Sequence, residues 1–452
     1  MPQRACSICF VVCALAFASA LSHAQQASPL DRDIDPAIAK IIATTPAIDN
    51  HAHPVLPPPA EATDREFDAL PVDNMAPETD PVAWRADYAP LHDAWAALFN
   101  VDLRPPLTPE AQKQLEAARA AAARQHGGDY DIWVLDRSGI GTMMANRVAM
   151  GAGIAPPRFL WVPYDDALLF PLDNSGLAAA TPDRAQFFAL EDKLHNRYLK
   201  ELGLTHPPAT LDAYIAEVVL PILKRQHDGG AVAIKFELAY LRPLDIGDPT
   251  HAQAAAAYAR FAHGGKPDAA AYKALQDFLF RAIATEAGKR HMAVHFHGMA
   301  GGGSYFSIAG VNPLNLEPLF NDPHMRGTHF VLLHGGYPFV HEIAAVLQKP
   351  NVYLDVSQQA LLVPARTLAT WLREWLELYP DKVLFATDGY PYSPAMGWEE
   401  STWLAARNVR QALGLALTGM ERDGEISPAR AAELARMVLR GNAEQLYGLQ
   451  VK

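Results

Sequence analysis

Histidines stand at the ends of several short apolar runs of this 452-residue chain, and they are side chains that can bind a metal ion. His51 and His53 close the first of these runs and are separated by one residue. Because side chains alternate along a strand, both imidazoles project from the same side. Such a pair can bind one ion, although a His-x-His sequence alone also fits a polar strand end without metal.

Later apolar runs end in the same kinds of side chain. The runs at 292–297, 329–334 and 382–387 lead to His297, His334 and Asp388. Imidazole and carboxylate are the ligands that borderline divalent cations prefer, and a catalytic ion keeps one position for water. The repetition at four runs predicts a mononuclear or binuclear metal site. It depends on the strand register, since a slip of one residue would turn a ligand outwards.

An alternation of strands and helices must position these residues. About eight segments have the composition of strands, and segments of ten or more residues with helical spacing or propensity lie between most of them. The predicted strands are 47–53, 139–148, 159–162, 231–240, 292–297, 329–334, 351–357 and 382–387. This order predicts an α/β fold, specifically a (β/α)8 TIM-like barrel, with a doubly wound open sheet as the competing architecture. In a barrel, active sites form where the carboxyl ends of the strands meet.

A long proline- and acid-rich region, about 54–106, follows the first predicted strand. Structureless stretches of this length inside compact domains are usually lids or binding loops, so we expect an insertion that covers the site. No internal repeat or second domain is evident. Residues 25–452 are therefore predicted to be one domain.

The first 24 residues resemble a secretory signal peptide. Arg4 gives a short positive region, an apolar run follows from Cys6 to Leu21, and small residues precede Gln25. All three cysteines lie in this segment, so the mature chain would have neither disulfides nor thiolate ligands. We expect a periplasmic or secreted protein with no membrane association after cleavage.

The charge and composition of the chain narrow its partners. A formal net charge of −12 argues against nucleic acid or an anionic membrane as the main partner. Hydrophobic residues make up 50% of the chain, which is enough for a large buried core. A small-molecule substrate is expected, and a homodimer is compatible with a barrel of this type.

Five segments make the chain resemble the amidohydrolase superfamily, in its amidohydrolase-related branch. They are 48–53 (IDNHAH), 331–339 (VLLHGGYPF), 351–357 (NVYLDVS), 384–388 (LFATD) and 441–449 (GNAEQLYGL). The resemblance is closest to the amidohydrolase-like domains that are fused to glutamine-synthetase-like domains in some fungi and plants. Two departures concern substrate choice: 54–210 matches poorly, and a second His-x-His, at His295 and His297, replaces a single-histidine pattern.

The resemblance implies a role for each of the strand-end residues. His51, His53, His297 and Asp388 would bind a divalent metal, with Zn²⁺ expected, and His334 would be the catalytic histidine. Such an ion lowers the pKa of bound water and polarises a carbonyl. Asp388 would then accept the proton of the water, while His334 would orient the water or stabilise the oxyanion.

Lys235 separates two versions of the site. In the first version it is an ordinary lysine, which pairs with a substrate carboxylate or with Glu237, and the site holds a single ion. In the second version it is carbamylated and bridges two ions, and His297 and His334 bind the second ion. Arg242, Asp355 and Ser357 are candidates for contacting substrate. Asp355 and Ser357 could instead orient His334, and Arg242 could be a solvated loop residue.

Three functions are compatible with this pattern. The first is a metal-dependent hydrolase acting on a C–N or C–O bond of a small substrate, a carboxylated one among the options. The second is a non-oxidative decarboxylase on the same barrel, in which His334 handles a proton. The third is a barrel without catalysis that binds a metabolite or metal, against which the nearly complete ligand set argues.

Overall fold

The computed structural model describes residues 29–71, 80–299 and 306–449. The predicted signal peptide, 1–24, lies outside these residues. In the part of the chain that the structure describes, no helix has the length and apolar character needed to cross a membrane.

Eight strands, all paired in parallel, run through the described residues. They are β1 (Ala47–Ala52), β2 (Ile140–Asn146), β3 (Phe159–Val162), β4 (Ala233–Phe236), β5 (Ala293–Phe296), β6 (Phe330–Leu332), β7 (Val352–Asp355) and β8 (Val383–Leu384). Strands β1–β3 form one sheet and β4–β8 another, each in sequence order. Every predicted strand is therefore confirmed, although most are shorter than predicted. The largest difference is at β4, which ends at Phe236 and passes into a 3₁₀ turn at Leu238–Tyr240.

Backbone hydrogen bonds continue across both gaps between the two sheets. Lys235 of β4 donates its N–H to the carbonyl of Pro163, which follows β3 (2.8 Å). At the other gap, Asp388 after β8 donates its N–H to the carbonyl of His51 in β1 (2.8 Å). The strands from the beginning and the end of the chain are thus held side by side.

Helices separate most of the strands. They are α1 (Pro36–Thr44), α2 (Leu91–Phe99), α3 (Pro109–His126), α4 (Tyr130–Ser138), α5 (Ser175–Ala180), α6 (Ala185–Glu201), α7 (Leu211–Tyr214), α8 (Leu220–Asp228), α9 (His251–Phe261), α10 (Ala269–Lys289), α11 (Glu317–Phe320), α12 (Val340–Val346), α13 (Gln359–Leu362), α14 (Ala365–Leu378), α15 (Trp398–Arg422), α16 (Pro428–Arg436) and α17 (Asn442–Tyr447). Short π-helical turns, Ile215–Val219 and Met437–Gly441, join α7 to α8 and α16 to α17. Helices α4 and α6 and the short helices α5, α11 and α13 were not predicted from the sequence.

An apolar cluster joins strands of the two sheets. Seven strands each contribute one buried side chain, and α17 adds two more; the residues are Ile48, Met144, Val162, Ala233, Ala293, Val331, Leu384, Ala443 and Leu446. Because these side chains come from strands of both sheets, the two sheets share one interior. The C-terminal helix covers this interior and brings Tyr447 towards the strands.

The segment after β1 is held down by a buried ion pair. Arg147, just after β2, donates to both carboxylate oxygens of Asp64 (2.9 and 3.0 Å) and to the carbonyl of Pro54 (2.6 Å). The two side chains are 1% and 0% exposed. Because an unpaired buried charge is strongly unfavourable, this pair fixes the path of 54–71 over the carboxyl ends of the strands.

Candidate metal centre

Two tertiary contacts place His51 and Asp388 side by side. The buried Asp49 carboxylate accepts hydrogen bonds from the backbone N–H (2.9 Å) and the hydroxyl (2.5 Å) of Thr387. These bonds tie β1 to the segment that follows β8, one residue before Asp388. The segment 48–53 thus contributes more to the site than its two histidines, since its Asp49 sets the register between the first and last strands.

His334 and Asp388 both have left-handed backbone conformations, with φ of 64° and 58°. Non-glycine residues rarely adopt positive φ, and such strain is often found at functional sites. After His334 the backbone continues through Gly335 and Gly336, also at positive φ. A Cβ on Gly335 would lie 2.4 Å from the Gln359 side chain, so glycine is required there. The turn directs the His334 ring back over the strand ends.

The donor atoms predicted to bind metal converge on Asp388. Its Oδ1 lies 3.2 Å from Nε2 of His51 and 3.5 Å from Nε2 of His53, and its Oδ2 lies 3.9 Å from Nδ1 of His334. Donor atoms of His51, His334 and Asp388 all lie within 4.8 Å of one another. His297 joins the group through Nδ1, which is 3.0 Å from Nε2 of His334. The structure therefore brings together all five residues that were predicted to be ligands or catalytic.

A chain of hydrogen bonds defines which ring nitrogens carry protons. Ser357 Oγ donates to Asp355, so it accepts from Nδ1 of His334 (2.9 Å). His334 then accepts at Nε2 from Nδ1 of His297. In this arrangement Nε2 of His297 keeps its lone pair, and it has no hydrogen-bond partner among the described residues. Nε2 of His297 thus keeps a lone pair for a ligand, although it is not among the donor atoms that lie within 4.8 Å of one another, whereas both nitrogens of His334 are already engaged.

Burial keeps these imidazoles neutral. It is the largest influence on each ring and lowers the pKa of His51, His297 and His334 well below the usual value, and that of His53 to about 4. Burial raises the pKa of Asp388 to about 8, against the opposing effect of Lys235. Only neutral imidazole binds a metal ion, and a cation would stabilise the buried carboxylate. The donor set therefore fits a divalent cation.

Lys235 lies at the edge of the donor group. It is fully buried, and its Nζ is 3.4 Å from Nε2 of His51. Among the ion pairs of the described residues, none joins Lys235 to Glu237. The lysine therefore faces the metal ligands.

The other residues predicted to contact substrate lie elsewhere. Arg242 forms an ion pair with Asp277 of α10 and is not among the described residues that line the cavity over the donor group. Asp355 and Ser357 do not line that cavity either, because they lie behind His334; Asp355 accepts the His334 backbone N–H (3.0 Å). Their geometry matches the alternative prediction, in which they orient His334.

The support of His334 extends to the last helix. Asn50 of β1 donates to Asp355 (2.8 Å) and accepts from the Tyr447 hydroxyl (2.5 Å). That hydroxyl also contacts Nε2 of His295 (2.7 Å). His295 of β5 thus belongs to this supporting network. The role of Tyr447 was not predicted.

A cavity of about 120 Å³ opens above the donor group. Besides the predicted residues, it is lined by Phe67, Asp68, Asp80, Trp84, Glu237, Tyr240, Gln358, Tyr390, Pro391 and Tyr392. The sequence carried a signal for three of these residues. Glu237 lies two residues after Lys235, and Tyr390 and Tyr392 follow Asp388 at alternate positions. Asp68 and Trp84 come from the long segment after β1 and carried no sequence signal.

A comparison of the sequence with models of protein families shows the family of this chain. A family model described as Amidohydrolase (Amidohydro_2) matches residues 211–449, which is more than half of the chain. The chain belongs to the amidohydrolase family. The match includes β4–β8 and, with them, His297, His334 and Asp388.

A curated protein and three solved structures are also similar to this amidohydrolase. Protein fluG of Emericella nidulans is 33% identical over 142 residues, which cover 30% of this chain and 15% of that protein. The chain thus spans only a small part of that relative. A candidate metal-dependent hydrolase from Lactobacillus casei has a TM-score of 0.55 and 16% identity, and the match covers 91% of this chain and 97% of that one. Uronate isomerase from Thermotoga maritima has a TM-score of 0.57 and 12% identity, with coverages of 92% and 98%. Glucuronate isomerase from Caulobacter crescentus has a TM-score of 0.59 and 15% identity, with coverages of 95% and 98%. At these identities the similarity concerns the fold.

Proposed function

We propose that this amidohydrolase is a metal-dependent hydrolase that cleaves a C–N or C–O bond of a small substrate. The observation that carries the proposal is the convergence of the His51 and His53 nitrogens on Asp388, beneath a cavity and next to His334. This combination supplies ligands for an ion, a proton acceptor and a second proton-handling group within one site.

His51, His53, His297 and Asp388 would bind the divalent ion, for which Zn²⁺ is our first candidate. When bound, the ion would polarise the scissile carbonyl and lower the pKa of a water molecule. The proposal favours one ion. In the version with two, a carbamylated Lys235 would be the bridge, and its position 3.4 Å from His51 Nε2 is compatible with that role.

The residues of the chain move and hold the protons. Asp388, kept as a carboxylate by the adjacent ion, would accept the proton of the attacking water and return it to the leaving group. His334 is held on one side by Ser357 and on the other by His297, so its ring stays in one orientation. To orient the water, Nε2 of His334 would exchange its hydrogen bond from His297 for one from the water molecule.

The proposed scaffold is a closed (β/α)8 barrel with the insertion at about 54–106 as its lid. The backbone bonds at both gaps between the sheets support closure, and the presence of Phe67, Asp68 and Trp84 in the cavity wall supports a lid. We further propose that 25–452 is a single domain, exported by the predicted signal peptide to the periplasm or the exterior, and that a homodimer is compatible with the barrel.

The test is metal content together with product analysis. Purified protein is assayed for bound metal by mass spectrometry, beside His51→Ala, Asp388→Asn and the control His341→Ala, whose side chain is 75% exposed. We expect about one ion per chain, lost in the first two variants and kept in the third. Two ions, with loss in Lys235→Ala, would support the bridged version instead.

A panel of small amides, esters and carboxylic acids then separates the reactions. A hydrolysed pair of products supports the proposal, whereas release of carbon dioxide supports the alternative of a non-oxidative decarboxylase. Wild-type protein that binds no divalent metal would overturn both.

A further inference from the structure

The cavity wall next to the metal centre is acidic. Asp68 and Glu237 both line it, and both are almost fully buried. Among the described lining residues none is lysine or arginine. The two internal segments outside the described residues, 72–79 and 300–305, contain neither residue type in their sequences. A substrate carboxylate would therefore meet no counter-ion on this wall, apart from the metal centre itself.

Glu237 is the central acid of this wall. Glu237 is 2% exposed, and its Oε2 has no hydrogen-bond partner in the part of the chain that the structure describes. Its backbone N–H is bound by Asp166 (2.7 Å), so a second buried carboxylate lies behind it. Burial first, and then Asp68, Asp166 and Glu191, raise the pKa of Glu237. The environment thus has an excess of acidic groups and an acceptor atom directed at no protein donor.

The nearest buried cation does not neutralise Glu237 by contact. Lys235 is two residues away and its charge lowers the Glu237 pKa, but its Nζ lies against His51. Burial without a partner favours the protonated carboxyl of Glu237. A cationic group on a ligand would stabilise the carboxylate and displace that proton to solvent, and a protonated amine would also supply a hydrogen-bond donor.

Aromatic rings form the rest of the wall. The rings of Trp84 and Tyr392 are stacked with centroids 5.3 Å apart, and Tyr390 lies 5.2 Å from Tyr392 and 5.7 Å from Phe67. Tyr240 lines the opposite side, beside His297. Aromatic faces attract ammonium groups, and the attraction is strongest where water is excluded. Trp84 Nε1, which is buried without a hydrogen-bond partner among the described residues, would suit an oxygen elsewhere on the same ligand.

We propose that the substrate carries a protonated amine or a quaternary ammonium group, which binds between Glu237, Asp68 and the aromatic rings of the cavity. This inference rests on the proposed function, because it assumes that the reacting bond lies at the metal centre. It favours a cationic substrate over the carboxylated one considered from the sequence. Charge on this wall, rather than shape alone, would then select the substrate.

The test is calorimetric binding of matched small ligands to the metal-loaded protein at neutral pH. Benzylamine is compared with benzyl alcohol and benzoate, and choline with its uncharged carbon isostere 3,3-dimethylbutan-1-ol. A charge-assisted hydrogen bond is worth on the order of a ten- to hundredfold change in Kd, so benzylamine should bind more tightly than benzyl alcohol by that factor. Choline has no N–H, and its charge and its attraction to the aromatic faces should give a smaller advantage over its isostere, about two- to thirtyfold. Glu237→Gln should remove most of the difference.

Three controls keep the result interpretable. Glu374→Gln makes the same change of charge at a surface residue that pairs with His341, and it should leave the preference for cations unchanged. Asp68→Asn provides a second variant of the wall in case Glu237→Gln does not fold. Metal content, measured on every sample, separates failure of the proposed function, in which no ion is bound, from failure of this inference.

Four outcomes would overturn the inference in protein that retains its ion. They are tighter binding of benzoate than of benzylamine, equal binding of each cation and its neutral isostere, binding of neither cation, and a preference for cations that survives in both Glu237→Gln and Asp68→Asn.

Discussion

Replacing Arg147 by methionine should destabilise the protein far more than the same replacement at an exposed arginine nearby. The Arg147 guanidinium makes four hydrogen bonds, two to Asp64 and one each to the carbonyls of Pro54 (2.6 Å) and Ala149 (2.9 Å). The variant loses all four and leaves Asp64 buried; among the described residues, the backbone N–H groups of Leu56 (2.9 Å) and Glu66 (3.0 Å) remain as donors to its carboxylate.

The expected cost follows from the burial of the pair. Removing one partner of a fully buried ion pair costs about 3–5 kcal/mol, because the other charge stays behind without compensation. Asp64→Asn should cost a similar amount. The double variant should cost less than the sum of the two, with a coupling free energy of about 2–3 kcal/mol.

The assay is urea unfolding of the two single variants and the double variant, followed by circular dichroism. The matched control is Arg197→Met: Arg197 pairs with Glu66 at 2.6 Å, but both side chains are more than one third exposed, so a change of only about 0–1 kcal/mol is expected. Limited proteolysis gives a second measurement, since 54–71 should be cut faster once Asp64 has lost its partner. Equal, small effects of Arg147→Met and Arg197→Met would refute the reasoning.

Three further predictions concern the support of the site and the buried histidines. Ser357→Ala removes the acceptor that holds His334 Nδ1 in place and should lower kcat by about 10–100-fold while the metal content stays unchanged, because the catalytic histidine loses its fixed orientation; an unchanged kcat would contradict this. Tyr447→Phe leaves Asn50 and His295 without their shared hydroxyl and should lower the unfolding free energy by about 1–3 kcal/mol, so an unchanged urea midpoint would count against the network. Burial lowers the pKa of His195 to about 4 from an ordinary value of 6.5. As the pH falls from 6.5 to 4, the unfolded chain therefore binds a proton at this histidine and the folded chain does not, which favours unfolding. Over this range the wild type should lose about 3 kcal/mol more unfolding free energy than His195→Gln. Parallel pH profiles of the two proteins would show that the histidine is not insulated from solvent.

Local patterns were sufficient to predict the strands and their order. Each strand is a short apolar run, and residues such as His297 and Asp388 follow directly where the run ends. Because active sites of this fold form at the carboxyl ends of the strands, these residues were predicted to lie on the same side of the sheets. The rule works because parallel strands in sequence order present equivalent ends to the same side. The convergence of His51, His53 and Asp388 was therefore predictable without knowledge of a single long-range contact.

Contacts between distant segments were not predictable. Arg242 was a candidate for substrate binding because it follows β4, but its partner Asp277 lies 35 residues away on α10. In the same way, nothing in the sequence around Asp68 places it in the cavity, because the path of its segment depends on the pairing of Asp64 with Arg147. The left-handed backbone at His334 is also accompanied by tertiary contacts, since its N–H donates to Asp355 and Ser357, 21 and 23 residues away.

Helix α6 shows a limit of a different kind. Phe187, Leu194 and Tyr198 are buried along one face, a spacing that helical periodicity could have revealed. The helix lies in the region that matches the family poorly, where the resemblance offered no guide to segment boundaries. Its buried Glu191 contributes to the acidic surroundings of Glu237.

The bond between the Asp388 N–H and the His51 carbonyl has a consequence for biosynthesis. The two residues are encoded 337 positions apart, so β1 leaves the ribosome long before the strand that flanks it exists. Until then its outer edge carries unsatisfied amide and carbonyl groups, which invite pairing with other nascent chains. A chain released just before residue 388 would carry three of the four proposed ligands and would leave this edge of β1 unpaired.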